Sequence, residues 1–277
     1  MPTSIHSRSG SSLKRRVAAI CDFAGLNRLG LAAQKRFLSP YIRAVNYHEV
    51  RPDQVVLFEE HLRYLLEIYD NINFSDLDRF FKSGELPGSR PGLIISFDDG
   101  YRSHFEIVAP ILEKYGLTGW FFVAVDEMNL ATNPPESSSN GMDQQQMIAL
   151  DQRHQIGSHT QTHRRLTKQV DHAEMVSEIF GSKKHLGAIL GRDVELFCWV
   201  GGEEPSYSKE AADLIRKGYR YAFMTNSCPI TSATSPLQLQ RTNIEASFPL
   251  SQVRFQLSGL MDLFYLRKRR RVNRLTA

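Results

Sequence analysis

The sequence contains no uninterrupted apolar run of about eighteen residues, the length a helix needs to cross a bilayer, so no spanning segment is expected. Near the N-terminus, Lys14, Arg15, Arg16 and Asp22 interrupt any apolar stretch that could serve as a secretory leader, and none is expected there. Cysteine is scarce. Cys21, Cys198 and Cys228 lie far apart without CxxC spacing, so neither a disulfide framework nor a thiolate metal site is indicated, and a reducing compartment is permissible. Together these absences give the expectation of a cytoplasmic protein. No nucleic-acid recognition motif or stacking platform accompanies the basic residues, which argues against DNA or RNA as a partner.

What remains is an ordinary globular composition, 42% hydrophobic and 23% charged over 277 residues, enough for one sizeable core. The formal charge of +4 is unevenly placed. Residues 1–51 hold nine Lys/Arg against two Asp/Glu and residues 262–277 hold six against one, which leaves the body at −8. Basic ends on an acidic body suggest peripheral contact with the anionic inner face of a membrane; a solvated tail at Leu266–Arg271 is the alternative. The chain therefore divides into a basic extension over 1–43, partly disordered with short helices broken near Gly25 and Gly30, a main domain over 44–261 and a basic tail over 262–277.

Within the main domain, strand and helix patterns alternate. Apolar, β-prone runs at 44–48, 93–97, 119–125, 195–200, 219–224 and 239–244 are interleaved with amphipathic stretches at 57–66, 143–150, 174–190, 208–217 and 250–266. A breaker-rich loop over 131–141 follows one strand, where it could form a rim or lid for a long substrate or be a plain insertion. Repeated strand-helix units predict a parallel α/β architecture with chemistry gathered at successive strand ends, though a barrel and a doubly wound sheet are not separated on this basis.

Two clusters carry that chemistry. Ser96-Phe97-Asp98-Asp99-Gly100 ends the run Leu93-Ile94-Ile95 in two carboxylates followed by a residue that permits a sharp turn, so one acid can hold a metal while the other handles a proton. About sixty residues on, Gly157-Ser158-His159-Thr160-Gln161-Thr162-His163 places two histidines four apart, which brings both rings to one side of a turn. One carboxylate and two imidazoles with a position left for water is the ligand composition of a catalytic zinc site.

These clusters resemble the first and second motifs of the polysaccharide deacetylases sharing the NodB homology domain, carbohydrate esterase family four: (T/S)FDDG and H(S/T)xxH. The resemblance runs from Asn46-Tyr47-His48-Glu49-Val50 to Gln240-Arg241-Thr242-Asn243, most of the chain. It implies a single-domain, distorted (β/α) barrel of about seven parallel strands and one divalent ion, zinc first, with cobalt, nickel or manganese as alternatives. In that reading Asp99, His159 and His163 hold the metal and Asp98 is the general base. Arg241 is the candidate to hold Asp98 in place through a bidentate pair, with an ordinary surface arginine as the alternative.

The third motif departs from the family pattern F-x-Y-P-x-G. Here Phe197-Cys198-Trp199-Val200-Gly201-Gly202 carries Trp for Tyr and Val for Pro, so a rigid turn is lost and a backbone oxyanion donor is left to Val200 or Gly201. Trp199 could stack on a sugar or belong to the core, and Gly201 and Tyr101 complete the expected substrate contacts. No histidine lies beyond His185, so the general acid that the family usually places after its third motif must come from elsewhere. His48, at the end of the first strand, is the candidate, an arrangement similar to the circularly permuted exopolysaccharide N-deacetylase branch. The expected activity is N-deacetylation of an amino-sugar polymer, oligosaccharide or precursor. A non-catalytic carbohydrate-binding module and a deacylase of other small amides are the rivals.

Overall fold

The structure is a computed structural model that describes residues 8–128 and 140–277. Its strands are β1 (Ile42–Tyr47), β2 (Asp70–Asn71), β3 (Gly92–Phe97), β4 (Gly119–Val123), β5 (Gln155–Ser158), β6 (Leu196–Cys198), β7 (Tyr221–Met224) and β8 (Leu239–Asn243). All pair in parallel in the order β1-β8-β7-β6-β5-β4-β3, and β1 also pairs with β3, from Ile42 opposite Gly92 to Tyr47 opposite Phe97. That last pairing closes seven strands into a barrel, with β2 a short flank on β3. The ring is weakest between β5 and β6, joined only at Ser158 and Phe197, and here the barrel is distorted.

The helices are α1 (Arg8–Phe23), α2 (Leu26–Leu38), α3 (Val55–Ile68), α4 (Phe74–Ser83), α5 (Ala109–Lys114), α6 (Gln144–Asp151), α7 (His172–Val176), α8 (Ser182–Leu190), α9 (Lys209–Gly218), α10 (Leu250–Leu257) and α11 (Leu260–Leu275). β3, β4, β6 and β7 are almost wholly apolar because both of their faces are buried, as parallel barrels require, whereas β1 and β8 also carry the buried polar side chains Arg43, Asn46, Gln240 and Arg241. Ile94, Trp120, Phe122, Leu196, Phe223 and Leu239 form one cluster inside the barrel. Their neighbours Leu93, Ile95, Phe97, Phe121, Val123 and Ile156 belong to the outer core under the helices. This two-sided burial is why continuous apolar runs, rather than alternation, mark the strands.

The expected strands correspond to β1, β3, β4, β6, β7 and β8; the two-residue β2 carries no comparable signal, and α4 is not among the expected helices although Phe74, Leu77, Phe80 and Phe81 follow helical spacing after the Asn73 cap. Gly30 does not break a helix: α2 runs through it, and a Cβ there would meet the Ser258 carbonyl oxygen at 2.1 Å. The glycine serves close approach instead. The single helix expected over 250–266 is two, separated at Gly259, whose φ of 91° ends α10 and redirects the chain. The stretch read as a basic tail forms most of α11, and its cations reach barrel carbonyls: Lys268 donates to Gly202 at 2.7 Å and Arg269 to Ser227 at 2.6 Å. Most of the breaker-rich loop lies outside the described residues. Its end, Gly141, bridges to Tyr101.

Candidate active site

The alternation along β3 that sends Ile94 and Ser96 into the barrel continues to Asp98, a buried carboxylate at the C-terminal end of the ring. The chain then turns through two left-handed residues, Asp99 (φ 78°) and Gly100 (φ 80°), so the second carboxylate leaves the strand alternation. Left-handed backbone at a non-glycine residue costs about 1–3 kcal/mol and persists only where its surroundings enforce it. Thr160 (φ 70°) and His163 (φ 57°) repeat the feature at the end of β5.

Asp98 is clamped from below. Arg241 in β8 donates Nη1 to Oδ1 at 2.6 Å and Nη2 to Oδ2 at 2.7 Å, and Asn46 in β1 donates to Oδ2 at 3.1 Å. Burial pushes the Asp98 pKa up, but the Arg241 charge, with His159 and the Arg241 hydrogen bonds, outweighs it and holds the group well below the usual carboxylate range. Arg241 is itself steadied by Ser96, to which Nη1 donates at 3.0 Å, and its guanidinium lies 5.3 Å from the Phe122 ring centroid.

Above this pair, Asp99 Oδ1 faces His163 Nε2 at 3.1 Å and His159 Nε2 at 3.5 Å. The Asp99 oxygen is buried and has no hydrogen-bond partner. His159 Nδ1 donates to the Cys198 carbonyl at 2.9 Å, which leaves its Nε2 lone pair turned toward Asp99. Burial lowers the His159 pKa, keeping the ring neutral. An orphaned anionic oxygen and a neutral imidazole nitrogen converging with a second imidazole make a donor set that fits a divalent cation. Asp98, His159 and Cys198 also lie within ligand distance of one another. That group fits poorly, since Asp98 is engaged by Arg241 and Asn46 and burial pushes the Cys198 thiol well up.

The histidine loop has its own support, which the motif does not reveal. Glu178, buried in the π-helical segment Ser177–Gly181 that joins α7 to α8, accepts from the backbone N–H of Gln161 at 3.0 Å and of Thr162 at 2.9 Å, and from the Thr162 hydroxyl at 2.6 Å. In sequence it is one more charge on a helix. Glu245, beyond β8, is equally silent there, yet it lies 3.1 Å from His48 Nδ1. Burial would lower the His48 pKa; the Glu245 hydrogen bond and the charges of Asp98 and Glu245 overcome it and raise it to about 9.

Asn46, His48, Asp98, Asp99, His159, His163, Trp199, Val200 and Gly201 all line one cavity of about 810 Å³. Tyr101 does not share it. It lines a neighbouring cavity of about 400 Å³, with Asp99 and His163 in the wall between the two. Trp199 is buried, with the Tyr207 ring 5.1 Å and the Phe197 ring 6.1 Å away, so its indole is more wall than exposed platform. The Trp199 backbone N–H is committed to the Phe223 carbonyl at 3.0 Å. His104, close by, is buried with its pKa lowered by desolvation to about 4 and donates Nε2 to the His48 carbonyl at 3.1 Å.

A family model of polysaccharide deacetylases matches residues 86–222. No curated protein matches the sequence. Among solved structures, the Streptococcus pyogenes deacetylase PplD in complex with acetate superposes with a TM-score of 0.66 at 20% identity, covering 78% of this chain and 98% of that one. IcaB from Ammonifex degensii gives 0.66 at 15%, covering 81% and 98%. A de-N-acetylase from Aggregatibacter actinomycetemcomitans gives 0.63 at 15%, covering 78% and 100%. At these identities the likeness is one of fold.

Proposed function

The chain belongs to the polysaccharide deacetylase family through residues 86–222, and on that premise we propose that it hydrolyses N-acetyl groups of an amino-sugar polymer with a divalent ion held by Asp99, His159 and His163. The observation that carries this reading is the convergence of both Nε2 atoms on the orphaned Asp99 oxygen beside a second, separately clamped carboxylate. The ion, zinc first by its ligand set, would supply the Lewis acidity that activates water near neutral pH and polarises the amide carbonyl.

The remaining steps fall to side chains of this chain. Asp98, held ionised by Arg241, accepts a proton from the attacking water, while Arg241 and Asn46 fix its orientation. The Cys198 carbonyl sets the His159 tautomer. With the Trp199 backbone N–H engaged in strand pairing, the N–H groups of Val200 and Gly201 are the backbone donors for the developing oxyanion. His48, kept protonated near neutral pH, delivers the proton that lets the sugar amine leave. The depressed pKa of His104 and its engagement with the His48 carbonyl favour His48 over it in that role. Trp199 and Gly201 form the substrate-facing wall, and Tyr101 lines the neighbouring cavity on the far side of Asp99 and His163. Acetate release from a panel of N-acetylated glycans, measured alongside bound metal, tests the reading. Binding of glycan without acetate release by the metal-loaded protein would make it a carbohydrate-binding module instead.

A further inference from the structure

The helical hairpin of α1 and α2 inverts the usual amphipathic arrangement. Among its described side chains the buried ones are Ala18, Asn27 and Gln34; Leu31 packs against the core, and the other ties to the body are polar, Asp22 pairing with Arg254 at 3.0 Å and Gln34 donating to the Leu257 carbonyl at 2.8 Å. Facing away, Ile20 is 66% exposed, Phe23 97%, Leu29 68% and Phe37 77%. They recur at three- and four-residue steps with Val17, Ala24, Leu26 and Ala33, which gives each helix one apolar stripe. Contiguous exposed apolar surface of this kind marks an interaction site.

Both helices carry exposed cations, Lys14, Arg15 and Arg16 on α1 and Arg28, Lys35 and Arg36 on α2, of which Arg16 and Arg36 stand three or four residues from members of the apolar stripes. The only acid in the sequence of either helix is Asp22, which is already paired. Apolar side chains on one face flanked by lysine and arginine are the features that seat a helix in the headgroup boundary of an anionic bilayer. No helix among the described residues is long and apolar enough to cross a membrane, so the contact would be in-plane.

We infer that the α1–α2 hairpin is a membrane-surface docking element whose occupant is an anionic phospholipid bilayer, holding the barrel at a lipid face. Within the C-terminal basic run, Lys268, Arg269 and Arg271 are engaged by Gly202, Ser227 and Glu204, so the inference rests on the hairpin. A second copy of the chain is the competing occupant, but two such faces would bring two cationic rims together.

The test uses the full chain and vesicles of phosphatidylglycerol and phosphatidylcholine in equal parts, against phosphatidylcholine alone. The wild type should sediment with the anionic vesicles at low ionic strength and be released by salt. Combined replacement Ile20→Ser, Phe23→Ser, Leu29→Ser and Phe37→Ser should lower vesicle affinity at least tenfold, as should Arg15→Glu, Arg16→Glu, Lys35→Glu and Arg36→Glu. Neither set touches the catalytic cavity, so acetate release from a soluble substrate should stay unchanged, which separates failure of docking from failure of the enzymatic reading. Because both native tryptophans, Trp120 and Trp199, are buried, Phe23→Trp adds a clean reporter whose emission should shift to the blue on anionic vesicles. A wild type that stays in the supernatant, a serine variant that sediments equally, or an unshifted indole emission from the Phe23→Trp variant each overturns the inference. So does a concentration-dependent dimer that the serine variant abolishes, which would assign the face to a second copy.

Discussion

Arg241 and Asp98 meet across the inside of the barrel, guanidinium to carboxylate through two parallel hydrogen bonds, with both side chains buried. Removing one member strands the other's charge without solvent, at a typical cost of about 3–5 kcal/mol. Arg241→Ala should therefore lower unfolding stability by about that amount in urea titrations. Arg241→Lys keeps the charge but not the planar fork and should recover only part of it. Equal stability of Arg241→Ala and wild type would show that the pair is not the buried contact described.

Asp98→Asn tests the opposite side of the same pair. It preserves shape but removes the ionised acceptor, so metal content should stay near one ion per chain while kcat falls by about two to four orders of magnitude. Metal loss on this substitution would instead make Asp98 a ligand.

The ligand set makes its own contrast. Asp99→Ala, His159→Ala and His163→Ala should each deplete bound divalent metal, whereas Cys198→Ser should not, because the Cys198 thiol is held neutral and only its carbonyl contacts His159. Elemental analysis after dialysis gives the answer. Undiminished metal in all three alanine variants would end the assignment.

Glu178 should matter although it touches no ligand. It pins the Gln161 and Thr162 amides between the two histidines, so Glu178→Gln, which loses charge and one acceptor, should weaken metal affinity by about 10- to 100-fold while leaving the apo fold intact. Competition with a metal chelator measures this. An unchanged affinity would assign Glu178 to loop folding alone.

The site was legible in the sequence to the extent that its parts are contiguous. Asp98-Asp99-Gly100 and His159 to His163 each carry their geometry locally, in a strand end, a turn and a four-residue spacing. Arg241 was legible only through the resemblance, since nothing near it shows that a barrel will bring β8 beside β3 by way of β1. Asn46, Glu178 and Glu245 were silent because each is 16 or more residues from the group it serves: ring closure brings Asn46 and Glu245 to theirs, and packing of the following helical segment on the β5 loop brings Glu178 to Thr162. Gly30 misled because glycine in a helix reads as a breaker, when here the missing Cβ admits the Ser258 carbonyl. The inverted hairpin could not be read at all, because which stripe of α1 and α2 is buried depends on α10.

The final prediction concerns His48 and Glu245, which sit at 3.1 Å from one another at the cavity edge. A proton donor for the leaving amine must hold its proton at working pH, and Glu245 helps raise His48 from 6.5 to about 9. The kcat profile should then fall on its alkaline side as His48 loses its proton, at or below about 9, since a bound cation offsets part of the carboxylate attraction. His48→Asn should keep metal content, lower kcat by about two orders of magnitude or more and abolish that limb. Glu245→Gln keeps the imidazole but removes the negative charge, so the limb should move toward 6.5 with activity at pH 6 largely retained. The same linkage has a sign in stability. A histidine whose pKa is raised on folding contributes stability that is full below about 6.5 and lost as pH climbs through about 9, so Glu245→Gln should flatten the stability curve over that window. If the limb stays in place in both variants, the proton comes from another donor, and His48 only shapes the cavity wall.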